Sequence, residues 1–102
     1  MAKAAKATKE IPVVVTTTHR GVFFGFVPEG ADLTQKTVRL TQAQMCVYWS
    51  SDVRGVLGLA ATGPRKGCKI GPAIPALTLQ DVTSIMEAAP EAAKAWRLSP
   101  WA

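Results

Sequence analysis

Apolar and polar residues alternate over short spans of this chain, and glycine or proline punctuates nearly every span. Ile11–Thr18 is β-branched apart from Pro12 and is the clearest strand, with Pro12 suited to its first residues or to a sheet edge. His19-Arg20-Gly21 predicts a turn into Val22–Val27, where Gly25 among Phe23, Phe24 and Phe26 predicts a bulge or sharp bend. Pro28–Asp32 reads as a loop. Lys36–Thr41 alternates, with Val38 and Leu40 on one face, and Met45–Trp49 continues as a fourth strand after a kink at Gln42–Gln44. After a turn at Ser50–Asp52, Gly55–Ala60 reads as a glycine-interrupted fifth strand and Gly63–Pro75 as a long loop. Ala76–Thr83 alternates as a last strand, with Leu77 and Leu79 on one face. Only the C-terminus reads helical: Pro90 suits a first turn, Ala92, Ala93 and Trp96 share a face, and Ser99-Pro100 stops it.

Spans of this length predict a mainly β domain, a small antiparallel barrel or sandwich of five to six short strands with one C-terminal helix. The domain is expected over residues 11–98, after a flexible basic arm at 1–10 and before a tail at 99–102. A length of 102 residues suits one domain, and 48% apolar against 19% charged residues suits a folded one. No stretch is apolar for long enough to span a membrane, and no apolar leader follows the lysine-dotted start, so a soluble intracellular protein is expected. Trp96 is expected in the core, holding the helix to the sheet. Trp101 is expected at the interface of a homo-oligomer, because an exposed terminal indole is otherwise wasteful.

The net charge of +5 is unevenly placed. Lys3, Lys6 and Lys9 crowd the N-terminus, and no acid occurs from Val53 to Gln80 while Arg54, Arg65, Lys66 and Lys69 do. Glycines let backbone amides turn toward an anion, so Gly63–Pro72 is the leading candidate for an anion-binding nest. Its predicted contacts are Arg54, Arg65, Lys66, Lys69 and Gly67, with His19 and Arg20 from the first turn and Tyr48 and Trp49 as stacking surfaces. The competing reading is a solvated loop. A nucleotide-triphosphatase P-loop is excluded, because Ile70 stands where a hydroxyl residue is needed and prolines forbid the following helix.

No catalytic residues, metal ligands or cofactor are assigned. The seven acids are scattered, His19 is the lone imidazole, and Cys46 and Cys68 with one histidine cannot fill a zinc site. Cys46 is expected as a buried thiol. Cys68 lies beside Gly67 and Lys69, where nearby cations could lower its pKa and make it more oxidisable, but not a catalyst.

Two resemblances add to this. Arg20–Gly25 followed by Val38–Thr41 resembles the bent second strand and following strand of Sm-like small barrels. Thr18–Gly25, Gln44–Trp49, Gly58–Pro64, Gly67–Ala73 and Leu79–Ser84 are similar to stretches of a family of small uncharacterised bacteriophage and prophage proteins. The second resemblance implies viral origin and supplies no activity. The expected function is therefore that of a phage-encoded, non-enzymatic binding module for a nucleotide, signalling nucleotide or nucleic acid, used to sequester a host defence signal. The alternatives are a virion head or tail component and an inhibitor of a host protein. Expected partners are further copies of the chain, nucleotides or nucleic acid, and virion or host proteins, but no membrane; the expected location is the host cytoplasm or the virion.

Overall fold

The computed structural model describes residues 10–18, 21–65 and 67–98. Val13, Val14 and Val15 are all fully buried in the first strand, β1 (Glu10–Thr17). Successive side chains of a strand face opposite ways, so β1 has a core on each side. That is why its sequence is an unbroken β-branched run rather than an alternation.

β1 lies between β2 (Val22–Pro28) and β6 (Val82–Glu87), and β2 pairs next with the long β3 (Val38–Tyr48). The far edge of β3 is shared, with β5 (Ile74–Leu79) along Val38–Ala43 and the two-residue β4 (Lys69–Ile70) along Cys46–Tyr48. All these pairings are antiparallel. A 3-10 turn (Ser51–Val53) and the helices α1 (Val56–Ala61) and α2 (Pro90–Leu98) complete the chain.

The sheet is strongly curled. β5 ends on the β3 edge and β6 begins on the β1 edge, yet only Gln80 and Asp81 separate them, a reach of about 11 Å. In a flat sheet the two edges would stand roughly 19 Å apart. Asp81, at φ 56°, makes the bend, and its carbonyl accepts bonds from the Thr18 amide and hydroxyl. β5 and β6 share no ladder, so the curl is not closed into a barrel. Inside it, Val13 and Val15 meet Val27, Leu40, Leu79 and Val82; outside it, Val14, Phe24, Cys46 and Ile70 pack under Leu59 and Trp96 of the two helices.

Several expectations change. The kink at Gln42 is present at φ 52°, but the strand runs through it, so residues 38–48 form one strand instead of two. Gly25 faces Leu40, where a Cβ would lie 2.7 Å from the Leu40 Cβ, and the pairing register shifts there as a bulge requires. Gly55–Ala60 is helical, not a strand: Arg54 and Gly55, at φ 71° and 84°, reverse the chain, and Val56, Leu59 and Ala60 then recur at helical spacing. The loop expected over Gly63–Pro75 contains β4, and the last strand is two strands divided at Asp81. Pro12 stands among the first residues of β1, one of its two expected places, although β1 is an interior strand and not a sheet edge. It is tolerated because the ladder to β6 starts at Val13, while the Pro12 carbonyl still accepts the Ala88 amide at 2.8 Å. The C-terminal helix is as expected, with Ala92 and Trp96 fully buried.

Candidate functional site

The chain that leaves β3 folds into a small basic cavity. Ser51–Val53 tightens into the 3-10 turn, and Arg54 closes it by donating its amide to the Ser51 carbonyl at 3.1 Å. α1 then rests directly on this turn, because Gly58 presents no side chain: a Cβ there would strike the Val53 carbonyl oxygen. At the other end of α1 the Gly58 carbonyl accepts the amides of Thr62 and Gly63 and the Thr62 hydroxyl, a C-terminal cap made by two successive residues. Gly63, at φ 84°, turns beneath α2, with Ala92 and Ala95 too close for any side chain in its place.

Arg65 follows, and its backbone is held at both ends. Its amide donates to the Cys68 Sγ at 3.3 Å, and its carbonyl accepts the Cys68 amide at 3.0 Å. The Cys68 Sγ also lies 3.7 Å from the Ser50 Oγ, which ties the basic loop to the end of β3. The result is a half-open cavity of about 540 Å³ whose lining includes Ser51, Arg54, Thr62 and Arg65. Two arginines and two hydroxyl-bearing residues thus line one space large enough for a small organic ligand.

The structure separates the predicted contacts. Arg54 and Arg65 come together. Gly67, at φ 103°, turns the loop and faces Ser50, and contributes backbone shape. Lys69 is exposed on β4 opposite Tyr48 and does not line the cavity. Tyr48 is 56% exposed, whereas Trp49 is half-buried against the helix-side core, so of this pair Tyr48 alone presents an open ring. His19, Arg20, Lys66 and Trp101 lie outside the described residues.

Cys68 is buried, and its sulfur serves as the acceptor that shapes the loop. Cys46 is buried as expected, and burial, with the neighbouring Cys68, pushes its thiol up to about 11. Ser51 and Thr62 were not legible as site residues. Thr62 becomes one as the residue after a helix, and the segment before it reads as a strand.

Fold and cavity define a small curled β-sheet domain carrying a basic pocket beside its first helix. Residues 10–96 match a family described as Domain of unknown function (DUF6948), and the chain belongs to that family. That membership carries neither a phage origin nor a kinship with Sm-like barrels. No curated protein and no solved structure matches the chain. The matched span runs from the first residue of β1 to Trp96 and so includes every residue of the cavity.

Proposed function

We propose that this domain is a non-enzymatic binding module for a small phosphate-bearing ligand of nucleotide size, held between Arg54 and Arg65. The lining of one cavity by these two arginines together with Ser51 and Thr62 supports the reading most directly. Guanidinium groups bind phosphate through paired, charge-assisted bonds, and the Ser51 hydroxyl supplies a further donor, the Thr62 proton being committed to the Gly58 carbonyl. A half-enclosed pocket favours a small ligand over a polymer. A nucleic-acid surface needs a basic track with several open aromatic rings, whereas Tyr48 presents one, outside the cavity lining, Phe24 is buried against Trp96 and Phe26 packs on the same core. If the family is carried by phages, as the resemblance implies, such a module would serve to sequester a host signalling nucleotide.

Calorimetry with nucleoside mono-, di- and triphosphates, and with inorganic phosphate, tests the reading. Binding should weaken about tenfold or more in Arg54→Ala and in Arg65→Ala, and should fall with added salt. Lys69→Ala, outside the cavity, should change affinity little. Equal affinity in the wild type and the double arginine variant would overturn the assignment, as would binding that depends on the length of an oligonucleotide.

A further inference from the structure

We propose that the apolar groove between α1 and β6 receives Trp101 of a second copy of this chain, and that two copies exchange this contact about a two-fold axis. The groove, of about 470 Å³, is lined by Leu57 and Ala61 of α1, by Met86 and Glu87 of β6, and by Ala88 and Ala89, which lead into α2. The Ala89 amide donates to the Ala60 carbonyl at 2.9 Å, which fixes the helix to the end of the strand and makes the groove a built part of the fold.

The lining describes its occupant. α1 buries Leu59 and Ala60 against the sheet, yet Leu57 on the same short helix is 68% exposed, beside the half-buried Met86. Small side chains at Ala61, Ala88 and Ala89 leave room for one wide, flat group. The Met86 thioether favours an aromatic ring. Glu87 adds an acceptor to an otherwise apolar lining, which suits a ring carrying one N–H. Together these features call for an indole, among the side chains most enriched as anchors in protein interfaces.

The chain has three indoles, and two are already placed. Trp96 is fully buried and Trp49 is half-buried against the helix-side core. Trp101 is left, three residues past Leu98, the last described residue. Its own groove lies at the wrong end of α2 for it. Ala88 and Ala89 precede Pro90, and the helix from Pro90 to Leu98 then carries the chain about 12 Å away. Three residues span about 11 Å when fully extended, so Trp101 would return only by reversing at Leu98 and leaving no slack. A second copy has no such limit, and a two-fold axis fills both grooves at once.

Complementation tests the exchange, since anchor and groove belong to different chains. Analytical ultracentrifugation of the full chain should show a dimer, weakened about thirtyfold or more by Trp101→Ala and by Leu57→Asp. Leu57 is largely exposed, so its replacement spares the core. An equimolar mixture of the two variants should associate more tightly than either alone. In it, the intact groove of the Trp101→Ala chain accepts Trp101 of the Leu57→Asp chain. A monomer throughout the micromolar to submillimolar range overturns the proposal, and a monomer whose Trp101 emission shifts in Leu57→Asp gives the groove to the indole of the same chain. A dimer that either variant leaves intact overturns it too, as does a mixture no tighter than its components.

Discussion

The indole of Trp96 lies flat on the ring of Phe24, with centroids 5.0 Å apart and planes 10° from parallel. Its Nε1–H donates to the Leu59 carbonyl at 3.0 Å, so one side chain joins α2 both to the sheet and to α1. Trp96→Ala should cost about 3–5 kcal/mol by chemical denaturation, since it empties a site with no solvent exposure. Trp96→Phe keeps the stacking surface but leaves the Leu59 carbonyl without its donor, and should cost less. Equal losses in the two variants would mean that the hydrogen bond, not the packing, dominates.

Gly58 sets the depth of the basic cavity by letting α1 approach Val53. Gly58→Ala raises helix propensity by up to about 1 kcal/mol, yet it must push α1 off the turn. The displacement should win, with a net destabilisation of about 1–3 kcal/mol and a loss of ligand affinity. Thermal melts with and without ligand check both effects.

Cys46 tests the helix-side core through its thiol. With its pKa pushed from 9.0 to about 11, it stays protonated, and it should resist alkylation at pH 8 until the protein unfolds. The folded state holds this proton more tightly than the unfolded chain does. Stability is therefore fully present below about pH 9 and declines as pH rises toward 11, by an amount on the order of 2 kcal/mol. Cys46→Ala should remove that alkaline decline in denaturation midpoints measured across the range.

Asp32 gives the opposite sign at the other end of the pH scale. Bonds from the Thr34 side chain, Gln35 and the Thr34 amide lower its carboxyl from 3.8 to about 2. The order that these bonds confer on the loop is present above about pH 4 and is lost as pH falls through 2. A carboxyl titration followed by NMR should show a midpoint near 2, and Asp32→Asn should speed exchange of the Thr34 amide at neutral pH.

Much of this architecture is legible in the residues. The β-branched run at 11–18 announces β1, Gly25 announces the bulge against Leu40, and the Ala92, Ala93 and Trp96 spacing announces the buried face of α2. α1 was hidden because Val56-Leu57-Gly58-Leu59-Ala60 fits both periods, and glycine argues against a helix until its contact with Val53 is known. β6 was hidden because the bend at Asp81 comes from a positive φ that no glycine marks. In the site, the absence of acids from Val53 to Gln80 points to Arg54 and Arg65, but charge arithmetic carries no distances. It equally nominates Lys69, which lies outside the cavity, and passes over the hydroxyls of Ser51 and Thr62.

The pairing of β1 with β6 also governs how the molecule is made. Val13 meets Glu87 and Thr16 meets Ser84, so β1, an interior strand of the sheet, gains its second neighbour from about seventy residues further along the chain. A nascent polypeptide can form the hairpin of β1 and β2 early, since those contacts are local. Val13, Val14 and Val15 nevertheless keep one open flank until residues 82–87 have left the ribosome. Such high contact order predicts slow folding, in milliseconds to seconds, and a period in which a valine-rich ribbon is exposed to chaperones and to neighbouring chains.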